Sequence, residues 1–174
     1  PEPFSIVGLG PVSLTVRKPE STANVLVEIL NFTEIGSYPS TVGGMPEIRV
    51  FSTGEGGPAS EVHLETRTDL PVERPGRGSV HHVAFRVKTM EEYAEWENHL
   101  RKNGFMTSGL VDRYYFKSIY FREPNGILYE LATDEPGFTS DEPIDKLGET
   151  LALPPFLEPR RAEIEASLRP INTN

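Results

Sequence analysis

The sequence predicts an α+β fold of two tandem βαβββ modules, each forming a curved mixed sheet or half-barrel. Three observations carry this. A strand leading into a helix occurs twice: Val12-Ser-Leu-Thr-Val16 runs into Arg17-Lys18-Pro19-Glu20, and Val83-Ala-Phe-Arg-Val87 into Lys88-Thr89-Met90-Glu91, at an offset of 71 residues. A second pair, Val62-His-Leu-Glu-Thr66 and Tyr129-Glu-Leu-Ala-Thr133, repeats at an offset of 67, so both ends of the halves agree and only loop residues differ. Short runs rich in β-formers then follow each helix.

The first module takes residues 1–70. Its opening strand spans about Leu9 to Val16. A helix begins near Pro19, sets Ala23, Leu26 and Leu30 on one face and ends around Asn31; strands follow at Glu47 to Thr53 and Glu61 to Thr66. Residues 71–79 are the linker, within a Pro-, Gly- and Arg-rich stretch from Asp69 to Ser79. Its Gly-Arg-Gly-Ser lacks the lysine and the following helix that a phosphate loop needs. The second module, residues 80–135, opens with a strand over Val80 to Val87. Its helix is well signalled by Thr89-Met-Glu-Glu92 as a capping box, Tyr93, Trp96 and Leu100 at helical spacing, and Gly104 as the left-handed stop. Strands are expected at Met106 to Val111, Tyr114 to Arg122 and Ile127 to Ala132. Residues 136–174 form a tail, Leu153-Pro-Pro-Phe-Leu-Glu-Pro with a charged helix from about Arg160 to Leu168.

Composition narrows the partners. The 17 basic and 26 acidic side chains leave a formal charge of −9, which argues against nucleic acid and anionic membranes and for a small-molecule ligand. No apolar run reaches membrane-span length and no basic-then-apolar leader opens the chain, so a soluble, cytoplasmic protein is expected. With no cysteine, disulfides, thiolate metal sites and cysteine nucleophiles are all excluded. The start at Pro1, in the linker-like Pro-Glu-Pro-Phe-Ser, suggests a piece of something longer.

The chemistry concentrates in Val80-His81-His82-Val83-Ala84-Phe85-Arg86-Val87. Strand alternation puts His82, Ala84 and Arg86 on one face and His81, Val83, Phe85 and Val87 on the other, so His82 is expected inside the curved sheet and His81 against the helix. Arg122-Glu-Pro-Asn-Gly-Ile-Leu-Tyr-Glu130 makes a tight turn at Pro124-Asn125-Gly126 and places Glu130 in mid-strand beside apolar neighbours. A lone buried carboxylate there is costly unless paired or bound to a cation. Spacing leaves two readings open: a satisfied core histidine with Glu130 paired to Arg86 or Arg113, or two ligands of a two-histidine, one-carboxylate metal site. His63 falls at the repeat position of Glu130 and is a weak substitute for a third ligand. The repeat partner of His82 is Pro11, which cannot ligate, and His99 is expected on a solvated helix face. Tyr114, Tyr115, Phe116 and Phe121 are candidates for an aromatic pocket.

The strand HHVAFRV, the segment EPNGILYELATDEPGF and the tail LPPFLEPRRAEIEASL together resemble the vicinal-oxygen-chelate superfamily, which includes glyoxalase I and extradiol dioxygenases, and more narrowly its hydroquinone-type ring-cleaving dioxygenases. The resemblance covers almost the whole chain. It implies a glyoxalase-like fold and an Fe(II)-dependent oxidoreductase that cleaves small hydroquinone- or catechol-type aromatics with O2, with Mn, Ni or Zn as alternative metals. His82 and Glu130 are then metal ligands, His81 and Arg113 support them, and Tyr120 hydrogen-bonds the substrate oxygen. Such enzymes carry four βαβββ units and take their other histidine ligand from the first, which this sequence lacks. The implied molecule is therefore a carboxy-terminal half that needs its amino-terminal half or a second chain, and a homodimer fits the paired units. The competing expectations are a glyoxalase-like isomerase or lyase on the same scaffold, and a binding module without chemistry.

Overall fold

The computed structural model describes residues 8–170, so the Pro-Glu-Pro-Phe-Ser opening lies outside the described residues. The first half contains β1 (Val12–Val16), α1 (Pro19–Asn24), β2 (Thr33–Tyr38), β3 (Ile48–Ser52) and β4 (Glu61–Thr66). The second contains β5 (Val83–Val87), α2 (Met90–Lys102), β6 (Val111–Asp112), β7 (Lys117–Arg122) and β8 (Leu128–Thr133), and α3 (Arg161–Ser167) lies in the tail. Each half is one four-stranded sheet, ordered β1-β4-β3-β2 and β5-β8-β7-β6. In both, the first strand pairs parallel with the last, Val12 opposite Val62 and Val83 opposite Tyr129, while the remaining ladders are antiparallel. The two sequence offsets are therefore one register used twice, as the tandem βαβββ reading requires.

Alternation divides each sheet. In the second half Val87, Ile119, Phe121, Tyr129 and Leu131 take the face that meets Tyr93 and Leu100 of α2, all of them buried. Fully burying a side chain of this size contributes about 1.5–3 kcal/mol, so this face holds the sheet to its helix. The helix begins where its cap dictates: the Thr89 hydroxyl accepts from Glu92 N at 3.2 Å, and the Glu92 carboxylate reaches back to Lys88 N. Tyr93 then fastens α2 to the sheet. Its hydroxyl donates to Ser118 O at 2.9 Å and accepts from Val111 N at 3.0 Å, and burial holds the phenol above its ordinary pKa.

The Glu123-Pro-Asn-Gly126 turn between β7 and β8 also joins the halves. Lys18, at the start of α1, has no side-chain cap of its own; Asn125 supplies one from the other module, accepting from Lys18 N at 3.0 Å and donating to Lys18 O at 2.9 Å. Glu123 is buried beside it and receives the Thr22 hydroxyl at 2.6 Å and Ile127 N at 3.0 Å. On the helix face Phe32 meets Phe85 edge-on at 5.6 Å. The core runs through both halves.

Several elements differ from the sequence expectation. The helix after β1 is α-helical only to Asn24 and widens into a π-turn over Val25–Ile29, closed by Leu30 N to Val25 O at 3.0 Å. β2 is an additional strand that completes the first βαβββ unit; all six of its residues are exposed, so it has no apolar alternation to betray it. The strand expected over Met106 to Val111 shrinks to a bridge at Thr107 and two residues of β6, and Tyr114, at φ 72°, belongs to a turn. His99 is not solvated: its Nε2 reaches Ile29 O at 3.1 Å and ties α2 to the end of the π-turn. The Gly-Arg-Gly-Ser segment is a self-closed turn, with Ser79 Oγ bonded to both Gly76 N and Gly76 O. No helix among the described residues is long and apolar enough to cross a membrane.

Tyr129 makes one stability prediction. It is fully buried between Phe85 and Phe121, its hydroxyl has no partner among the described residues, and burial with the nearby Glu123 charge drives its pKa far above the ordinary value. An orphaned buried hydroxyl costs about 1–3 kcal/mol. Tyr129→Phe removes it with the ring left in place, so the urea midpoint of the protein is expected to rise.

Candidate metal centre

β5, β8 and β7 lie side by side, and their open face carries one row of aligned residues: Ala84 pairs with Glu130, and Glu130 with Tyr120. Tyr93 and the buried aromatic face beneath hold these strands in place, which fixes where the row's side chains leave the backbone. Just ahead of β5, His82 leans over the same face. Its Nε2 stands 2.7 Å from Glu130 Oε2, and its ring lies edge-on to Tyr120 with 5.9 Å between centroids. Thus the structure brings His82, Glu130 and Tyr120 together.

Glu130 is 2 % exposed. Its polar neighbours are the Ser118 hydroxyl, which donates to Oε1, the His82 imidazole and the Tyr120 phenol. The arginines offered by the sequence do not neutralise it. Arg86 pairs with Asp134, and Arg113 is exposed in the turn before β7. No arginine or lysine pairs with this buried carboxylate among the described residues, so the site could seat a cation, and one imidazole nitrogen with one carboxylate oxygen suits a divalent first-row metal. His82 remains about one-third exposed, so the seat opens outward.

His81 is placed differently from the expectation. It does not turn toward α2; its Nδ1 sits 3.0 Å from His82 Nδ1, and it is exposed. The pairing ladder begins at Val83, so strict alternation does not govern the two residues before it. The contact leaves His82 Nε2 for Glu130 and holds the imidazole ring from behind. Tyr120 is perturbed chiefly by burial, which raises its pKa; Ser118 lowers it, Glu130 raises it, and the Arg113 charge lowers it.

His63 is not part of this cluster. It sits at the equivalent position of the first sheet, where Nδ1 meets the Tyr38 hydroxyl at 3.0 Å and Nε2 meets Glu61 Oε2 at 3.1 Å, so both ring nitrogens are engaged. Among the described residues no group of three His, Asp or Glu side chains is placed to hold a metal. His82 and Glu130 thus stand as a pair, with no third candidate ligand beside them among the described residues.

Beside Tyr120 a cavity of about 470 Å³ is lined by Phe105, Met106, Ser108, Phe121, Arg122 and Leu128. Of the aromatic residues expected to line a pocket, only Phe121 does so here. Tyr114 and Tyr115 turn to the tail: Tyr114 lines a separate cavity against Leu151 to Leu153, and Tyr115 stacks on Phe138 and donates to Asp141, which pushes its pKa up to about 12. Ser118 was not visible as a site residue in the sequence. Its only signal is its spacing of two from Tyr120, which puts it on the Glu130 face.

Known proteins are similar to this chain. A relative in Bacillus subtilis (strain 168), provisionally named ring-cleaving dioxygenase MhqA, is 60% identical over 98% of this chain and 54% of its own length. A chlorohydroquinone/hydroquinone 1,2-dioxygenase of Sphingobium indicum is 36% identical over 66% of the chain and 36% of its own length. A crystal structure from Bacillus subtilis, provisionally titled a dioxygenase, superposes with a TM-score of 0.83 at 32% identity, covering 96% of this chain and 51% of that one. The chain spans about half the length of the first curated relatives it matches. With a family model matching residues 8–131, the fold, the repeated register and these relatives agree that the chain belongs to the Glyoxalase/Bleomycin resistance protein/Dioxygenase superfamily.

Proposed function

We propose that the chain is the carboxy-terminal half of an Fe(II)-dependent ring-cleaving dioxygenase that opens hydroquinone- or catechol-type aromatics with O2. The observation that carries this reading is the approach of His82 Nε2 to Glu130 Oε2 at 2.7 Å, with the carboxylate buried and no arginine or lysine paired with it among the described residues. The relatives' names favour this chemistry over the isomerase alternative. His82 and Glu130 would hold the metal, and the third ligand comes from the other half or from a second chain, because His63 is committed to Tyr38 and Glu61.

When bound, Fe(II) supplies Lewis-acid polarisation of a phenolic oxygen and the redox capacity that lets O2 react with the ring. The residues of this chain do the rest. Burial keeps Tyr120 protonated at neutral pH, so its hydroxyl donates a hydrogen bond to an oxygen of the ring substrate. Arg113 contributes positive charge near the same phenol. His81 steadies the His82 ring so that Nε2 stays on the open face. The open cavity beside Tyr120 offers the aromatic ring an apolar wall at Phe105, Met106 and Leu128.

The test is oxygen uptake by the full-length protein, loaded anaerobically with Fe(II) and mixed with methylhydroquinone. Uptake that needs iron is expected. Turnover under nitrogen with redox-inert Zn would instead identify an isomerase or lyase, and protein that binds no metal would leave only a binding module.

A further inference from the structure

The proposed metal reading has a consequence that reaches one residue further, to Ser118. Its side chain is wholly enclosed, and its hydroxyl donates to Glu130 Oε1. The other oxygen, Oε2, is the one at 2.7 Å from His82 Nε2. The two oxygens of one carboxylate are thus committed to different neighbours. A carboxylate can meet a divalent cation through one oxygen or through both, and the choice decides how many coordination positions it fills. A hydroxyl proton aimed at Oε1 occupies a lone pair there and biases the group toward Oε2 alone.

The backbone around Ser118 makes the bias firm. Its carbonyl is held from the helix side by the Tyr93 hydroxyl at 2.9 Å, and its position is locked opposite Ala132 in the ladder. Neither the strand nor the enclosed side chain has room to swing away.

We propose that Ser118 is a positioning residue that restricts Glu130 to one-oxygen ligation through Oε2, and so keeps one position of the bound cation free for an exogenous ligand. The inference rests on the metal-binding reading of the site. It assigns no part in proton transfer to Ser118.

Mn(II) binding to the metal-free full-length protein tests it, with affinity read by electron paramagnetic resonance titration and exchangeable first-sphere water read by proton relaxation. In Ser118→Ala, Oε1 is released. Affinity is expected to fall about 10–100-fold, the cost of losing a supporting hydrogen bond to a ligand, and the coordinated water count is expected to drop by one as the carboxylate turns bidentate. Ser118→Thr keeps the donor and is expected to restore both readouts, with circular dichroism confirming that each variant folds. Ser118→Ala that matches wild type in affinity and in water count overturns the inference while the metal reading stands. So does a folded Ser118→Thr that behaves like Ser118→Ala. Wild-type protein that takes up neither Mn(II) nor Fe(II) overturns the metal reading, and the inference with it.

Discussion

Glu130→Gln is expected to eliminate metal uptake while leaving the metal-free protein at least as stable as wild type. The two effects separate if, as proposed, the carboxylate serves an ion and not the fold. In the metal-free protein Glu130 is a buried negative charge, 2 % exposed, supported by a hydroxyl and an imidazole. Glutamine keeps the oxygen that accepts from Ser118 and removes the charge, and replacing an incompletely compensated buried ion by a neutral group is often neutral or stabilising by about 1–4 kcal/mol. Against a cation the same change removes a direct ligand, which costs more than the roughly 10–100-fold typical of a supporting residue. His82→Ala is expected to match it in metal loss but not in stability, since it strips the buried carboxylate of its nearest nitrogen. Metal analysis by mass spectrometry and thermal unfolding of the apo-proteins read the two axes separately. An apo Glu130→Gln protein that melts well below wild type would show the carboxylate to be structural, and retained stoichiometric iron would remove it from the ligand set.

Phe121→Ala is expected to destabilise the protein by about 3–5 kcal/mol, the usual cost of emptying a buried aromatic site. Its ring is 1 % exposed and stands edge-on to both Phe105 and Tyr129, at 5.2 and 5.6 Å between centroids. That loss is a large fraction of the roughly 5–15 kcal/mol that keeps a domain folded. The position matters for chemistry as well. Phe121 is the residue between Tyr120 and Arg122 on β7, and its anchoring on the helix face is what aims Tyr120 at the open face. Urea unfolding gives the first quantity. At temperatures where the variant is still folded, weakened aromatic-ligand binding beside Tyr120 gives the second, and a midpoint within error of wild type would contradict both.

The duplicated architecture was legible because parallel pairing of first and last strands demands two similar segments per half, and those are what repeat at 71 and 67 residues. The approach of His82 to Glu130 was legible for a related reason: the two polar residues lie at the first and last strands of one unit, which pair side by side. Other features had no comparable signature. β2 exposes every residue, so pattern reading passes over it. The orientation of His81 escaped because alternation applies only inside a ladder that starts at Val83. Tyr114 looked like a strand residue in an aromatic run, yet its backbone sits at φ 72°, with its N–H donated to Asp112 Oδ1. Ser118 is the instructive omission, since a small hydroxyl residue in a strand reads as filler until its partner across the sheet is known. The Asn125 contact with Lys18 spans 107 residues, and no local pattern announces a cap delivered from that far away.

One backbone plan, laid down twice, supports unequal occupants. In the first half the place of Glu130 is held by His63, whose nitrogens meet the Tyr38 phenol and the Glu61 carboxylate. That imidazole is satisfied within its own half, whereas the second half sets a buried carboxylate at the matching place. Identical strand register therefore does not impose identical chemistry on the two halves.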